Sequence, residues 1–221
     1  MDWSPLAISL KTSLAATALA FFPGVIAARL VTRRSGRLRA VLDGVFTFPM
    51  VLPPTVLGFL LLLLLGRNGP LGQFLSRAGI HLVFTWFAAA IAGSVIAFPL
   101  IYRTVRGALE QIDPAVVDAA RTIGLTERAV FWRVRMPIAL PGTAGGLVLA
   151  YARVLGEFGA TLMVAGNIPG KTQTIPVAIY FAVEGDNTPL ALAWVGVIVA
   201  ISIVAMFLLN ALGGERHGYP R

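Results

Sequence analysis

The chain contains no cysteine, so disulfide frameworks, thiol chemistry and cysteine-based metal sites are excluded. Histidine is nearly as scarce: His81 and His217 are the only two, and neither has a ligand spacing around it. Charge is scarce too. Asp, Glu, Lys and Arg make up 13% of the 221 residues, against about a quarter in soluble domains. Acidic side chains are the rarer sign, 10 against 18 basic ones, which leaves a formal charge of +8. A basic balance of that size raises nucleic acid as a partner. The hydrophobic share of 57% and the mean hydropathy of +0.81 argue against it, because nucleic-acid domains of such charge carry polar surfaces. What the chain has instead is long apolar runs. It reads as a membrane protein.

A hydrocarbon core about 30 Å thick takes about 20 apolar residues of helix. Stretches free of charge predict an all-α, polytopic membrane helix bundle with five transmembrane helices in one domain over 1–221. The spans fall at about 6–29, 44–66, 81–102, 138–164 and 189–211. The second holds the unbroken run Phe59 to Leu65. The fourth joins two apolar pieces across Arg153 and Glu157, and is read as one helix from about Leu140 to Val164. The first is expected to be a permanent helix, since its basic cluster follows the apolar run whereas a signal peptide's precedes it.

Orientation follows from the basic residues. Arg29, Arg33, Arg34, Arg37 and Arg39 lie between spans one and two. Arg103, Arg106, Arg121, Arg128, Arg133 and Arg135 lie between spans three and four, and Arg216 and Arg221 follow span five. Against these thirteen, the opposite side holds Arg67, Arg77 and Lys171. The N-terminus is therefore expected outside and the C-terminus in the cytoplasm, as an odd number of spans requires.

The polar segment 103–137 is the one loop long enough to fold by itself. Asp113 and Pro114 have the chemistry of a helix cap and first helical position. Ala115, Val116, Ala119, Ala120 and Ile123 recur at helical spacing as an apolar face. Gly124 suits a left-handed terminator, Thr126 caps a second helix from Glu127 to about Arg135, and Pro137 limits it. Such a knob suits docking into a groove of another protein, or lying on the membrane as an amphipathic linker.

Asp118-Ala119-Ala120, three residues, Gly124, nine residues, then Val134-Arg135-Met136-Pro137 resembles the EAA signature of ABC importer permeases. That pattern reads Glu-Ala-Ala, three residues, Gly, nine residues, Ile-x-Leu-Pro; the departures here keep charge or apolar character. The resemblance implies a coupling loop docked on two cytoplasmic ATP-binding-cassette subunits, with Asp118, Ala119, Ala120, Gly124, Val134, Met136 and Pro137 as its residues. The stretch Ala152 to Pro176, with Gly156-Glu157-Phe158-Gly159 and Ala165-Gly166-Asn167, is similar to permeases of bacterial molybdate importers, as is Val51 to Phe59. Sulfate and thiosulfate permeases share the Gly-Glu-Phe-Gly core; Ala160-Thr161-Leu162-Met163 and Pro169-Gly170-Lys171-Thr172-Gln173-Thr174 favour molybdate over them. Tungstate is not separated from molybdate. The family also implies a homodimer, an external substrate-binding protein, the bacterial inner membrane as location, and no nucleic acid or cofactor on this chain.

Other motifs are weighed by their context. Ala165 to Thr172 fits a loose Walker A pattern, but it follows a membrane helix on the outer side, so ATP is expected on a partner chain. Arg153 and Glu157 sit four apart within a span, where a charge costs about 2.5–3.5 kcal/mol at mid-bilayer. They read as a structural bridge or as a pathway or gate pair. Pro53, Pro54 and Thr55 interrupt the second span and are expected to kink it, lining a conduit or simply packing. Gly142, Gly145, Gly146, Gly156 and Gly159 read as packing positions. No catalytic motif appears, so an intramembrane enzyme or a passive scaffold is the remote alternative.

Overall fold

The computed structural model describes residues 2–213, in which every regular element is helical. Arg216, His217 and Arg221 lie outside the described residues. Helix α1 (Ser4–Thr32) packs along α5 (Trp86–Glu110), with α8 (Met136–Leu155) against both. Their contact is made of small residues: Ala16, Ala20, Ala28 and Ala97 are buried together with Ile101, Tyr102 and Val105. Small side chains let two backbones approach and fill the seam by van der Waals contact, the main attraction available between helices in lipid. Among the described residues four helical runs are long and apolar enough to cross a membrane: α1, α5, the continuous run Glu127–Leu155, and α11 (Thr188–Gly213) over Thr188–Ala211.

The second predicted span differs from expectation. It is not a kinked helix but two helices, α2 (Gly36–Val51) and α3 (Pro54–Leu65), bent by 102°. The cause is local. A residue before proline is pushed out of the α region, and here two consecutive residues precede one: Leu52 has ψ 136 and Pro53 has ψ 136. Single prolines Pro23, Pro49, Pro99 and Pro141 stay inside their helices.

The fourth span is also broken. Helix α8 ends at Leu155, and α9 (Gly159–Ala165) restarts after Gly156-Glu157-Phe158, so no single helix runs from Leu140 to Val164. Toward the other end the opposite correction applies. Pro137 does not stop the second loop helix: α7 (Glu127–Ala129) passes through a π-helical turn, Val130–Arg135, straight into α8. The Met136 N–H reaches back to Phe131 O, a wider turn that takes in the proline where the ladder changes register.

Three short helices complete the chain: α4 (Pro70–Ser76), α6 (Pro114–Thr122) and α10 (Ile175–Glu184). Helix α10 packs with Trp194 of α11, and Ser9 of α1 accepts a hydrogen bond from Ile175 N at 2.8 Å. Large apolar side chains of α2 and α11, among them Val45, Phe48, Val51, Val204, Met206 and Phe207, stand more than half exposed. Such faces fit lipid or another membrane helix and not water.

Candidate functional site

The 113–137 segment folds around its caps. Asp113 Oδ1 accepts from Ala115 N at 2.8 Å with Pro114 at the first position of α6. Gly124 has φ +85, a conformation other residues resist, and Thr126 Oγ1 accepts from Ala129 N at 3.3 Å. The signature's acidic residue begins a relay. Asp118 accepts from Arg121 at 2.8 Å, Arg121 donates to Glu127 at 2.8 Å, and Glu127 accepts from Arg33 at the end of α1 at 3.1 Å. Glu127 first, then Asp118, holds the Arg121 guanidinium above its ordinary pKa. Water screens exposed pairs of this kind, so they set orientation more than stability.

The expected apolar face divides. Ala120 turns inward with Val117, while Ala115, Val116, Ala119 and Ile123 turn out, Ile123 being 78% exposed. Trp132 is also exposed. Of the signature's second half, Met136 is buried, Val134 is half-buried and Pro137 is exposed. An apolar patch on a charged rim is what a docking knob presents.

The two breaks in the predicted spans meet each other. Helix α3 packs along α9, and a Cβ placed on Gly159 would stand 3.1 Å from Thr55 Cγ2 and 3.4 Å from Pro54 Cβ. One placed on Gly58 would lie 2.7 Å from Ala160 Cα, so backbone rests on backbone there. Arg153 donates to Glu157 at 2.9 Å, as their spacing implied, but Glu157 lies in the break and not on a continuing helix. Its other oxygen accepts from Ala160 N at 3.1 Å, which satisfies an otherwise orphaned donor at the start of α9. The carboxylate is 2% exposed and the guanidinium 42% exposed. Pro54 and Thr55, next to Pro53 at the bend, thus meet the start of the helix that Glu157 caps, and Arg153 is bridged to Glu157 from the end of α8. Thr55 is exposed there.

The glycines of the fourth span divide likewise. Gly142, Gly146 and Gly159 stand in close contact with Ala108, Thr104 and Thr55 respectively. Gly145 has only Leu209 at 3.8 Å, and Gly156 meets only its own helix's carbonyls, so neither is a tight packing position.

Sequence reasoning missed one polar network. Asp43 of α2 accepts from Tyr102 Oη at 2.8 Å and from Arg106. Arg106 also donates to Glu110 at 2.8 Å, and Glu110 accepts from Arg39 at 2.7 Å. Helix α2 has no buried residue, so this network and the edge of Phe46 against Tyr102 fasten it to α5. The Arg106–Glu110 spacing was readable as an i,i+4 pair; Asp43, 63 residues from Arg106, carried no such signal. The Walker-like stretch closes on itself instead of opening a helix at Lys171: Ile168 N donates to Thr172 Oγ1 at 3.1 Å.

The family of binding-protein-dependent transport system inner membrane components matches residues 20–214. The chain belongs to this family. It is 40% identical over 209 residues to the putative molybdenum transport system permease protein YvgM of Bacillus subtilis, covering 94% of this chain and 92% of that one. It is 40% identical over 222 residues to the molybdenum transport system permease protein ModB of Escherichia coli strain K12, covering 98% and 97%. The sulfate transport system permease protein CysT of Salmonella typhimurium is 36% identical, over 91% of this chain and 74% of the relative. Among solved structures, an inward-facing MetNI methionine ABC transporter matches with TM-score 0.71 at 17% identity, covering 94% of each chain. The fold is that of an ABC importer permease, and the chain is a membrane-embedded transport component, not an enzyme.

Proposed function

We propose that the chain is the permease subunit of an ATP-driven importer that carries molybdate across the cytoplasmic membrane. The observation that supports the substrate is the near full-length 40% identity to two molybdenum transport permeases, against a shorter match to the sulfate relative. In this reading two copies form the pathway, two cytoplasmic ATPases dock on the 113–137 segments, and an external binding protein delivers the oxyanion. The N-terminus lies outside. The bridges Arg33–Glu127 and Arg39–Glu110 gather cation-rich segments at one end, as a shared cytoplasmic side requires.

The run Glu127–Leu155 gives the coupling a physical route. It spans 29 residues without a stop, about 43 Å of helix at 1.5 Å per residue. One end carries the docking knob and the other carries Arg153 at the break. ATP-driven movement of the knob is delivered as a rigid-body shift to the Gly156–Gly159 break, where α3 rests on α9. Arg153 is paired with the Glu157 carboxylate, so the pair neutralises itself and holds an oxyanion only weakly, without trapping it. Labelled molybdate uptake by the reconstituted complex tests the substrate. Tungstate, a tetrahedral dianion of nearly the same size, is expected to compete; inhibition by equimolar sulfate would overturn the choice of molybdate.

A further inference from the structure

Lysine is the rarest cation here: Lys11 and Lys171 are the only two, against sixteen arginines. Both line one cavity of about 370 Å³, although 160 residues separate them. Its walls are Ile8 and Lys11 of α1, Phe84, Thr85 and Trp86 at the start of α5, and the turn Gly170 to Thr172. The Lys11 ammonium stands 3.6 Å from the centre of the Trp86 ring. Among the described residues neither lysine forms an ion pair with a carboxylate, whereas Arg153, the other cation inside a predicted span, is paired with Glu157. An indole face attracts a cation but leaves its charge uncompensated. Two uncompensated ammoniums beside Thr85 and apolar Ile8 and Phe84 lack an anion that is itself amphiphilic.

We infer that this cavity is a binding site for the phosphate headgroup of an anionic phospholipid in the outer leaflet. The inference rests on the reading that the N-terminus lies outside. Lys11 is seven residues into α1, about 10 Å along its axis, a depth from which a lysine reaches up to the level of lipid phosphates. Trp86 supplies the aromatic contact usual at that interface. The acyl chains then lie along Ile8 and Phe84, and the phosphate sits between the two ammoniums. Lys171, the lysine of the Walker-like stretch, holds a phosphate in this assignment, but one belonging to lipid and not to a nucleotide.

Native mass spectrometry of the complete complex, equilibrated with phosphatidylglycerol and phosphatidylcholine, counts the lipid retained on each permease copy. The wild type is expected to keep phosphatidylglycerol selectively. Lys11→Gln and Lys171→Gln should each weaken that retention about fivefold, the effect of one basic residue at an anionic surface. Lys11→Arg and Lys171→Arg should keep it, which separates loss of charge from loss of fold. Unchanged retention in the double glutamine variant would overturn the site. Displacement of the retained lipid by millimolar molybdate would overturn the lipid assignment in favour of a free oxyanion. Molybdate uptake by the same preparation is read separately: retained lipid without uptake would count against the importer and leave the lipid site standing.

Discussion

The α1–α5 and α3–α9 layers are both closed by small residues, yet one is made of whole helices and the other of fragments. In the first, a Cβ on Gly24 would lie 2.8 Å from Ile101 Cγ2, and one on Gly93 3.0 Å from Ala16 Cβ. The helices there are 29 and 25 residues long and carry Pro23 and Pro99 without interruption. In the second, helices of 12 and 7 residues end against each other at Pro53-Pro54 and Gly156-Glu157-Phe158. Close packing alone therefore does not decide rigidity. The breaks do, because each removes backbone hydrogen bonds at a depth where water is scarce. In the proposed function the α1–α5 layer is the frame and the α3–α9 layer is the part that moves against it.

Substitutions that wedge α3 away from α9 test that contrast most strongly. Gly58→Val, set against the Ala160 backbone, should cost about 1–3 kcal/mol through overpacking and abolish uptake, measured in proteoliposomes. Gly196→Val, with nothing within 4 Å of its Cβ position, should be tolerated. Next in size is Glu157→Ala, which removes both the Arg153 bridge and the acceptor for Ala160 N. A fully buried pair would cost about 3–5 kcal/mol; the half-exposed guanidinium lowers this to about 2 kcal/mol. Glu157→Gln keeps an acceptor for Ala160, so its folded yield by size-exclusion chromatography should stay near wild type while uptake slows. Equal loss of folded protein in both variants would make the pair structural and nothing more.

Smaller effects are expected at the knob, where the frame is not disturbed. Gly124→Val forces a β-branched residue to φ +85, a strain of about 1–3 kcal/mol confined to an exposed turn. Uptake should fall while basal ATPase activity of the complex persists; full transport would contradict docking through this segment. Asp113→Ala should be the mildest, about 1 kcal/mol from the lost α6 cap, seen as faster proteolysis of the 113–137 segment.

The contrast between the layers also explains what the sequence disclosed. Charge-free runs, the Asp113-Pro114 and Thr126 caps and the left-handed Gly124 were readable because each depends on residues within a turn or two of one another. The Arg153–Glu157 contact was readable for the same reason. The 102° bend was underestimated as a kink because the consequence of two successive pre-proline residues is cumulative. The break at Gly156 was hidden, since apolar composition continues through it and only a buried carboxylate turning to cap α9 marks it. Pro137 misled in the other direction, because a π-turn accommodates it. That the two breaks face each other depends on α3 meeting α9 across about a hundred residues of chain, which no local pattern records.

The absence of cysteine makes the central claim directly measurable: any thiol introduced is the only one in this chain, and labelling is read on this subunit's band. With Thr55→Cys at the junction of the broken helices and Val56→Cys, an exposed apolar position expected to face lipid, as the control, a membrane-impermeant maleimide is applied to proteoliposomes holding the complete complex. The thiol at position 55 is expected to be labelled at rates that differ between nucleotide-free and vanadate-trapped complex, while that at position 56 stays unreactive in both. Labelling at position 55 that is absent, or equal in the two states, would contradict a pathway running through the α3–α9 break.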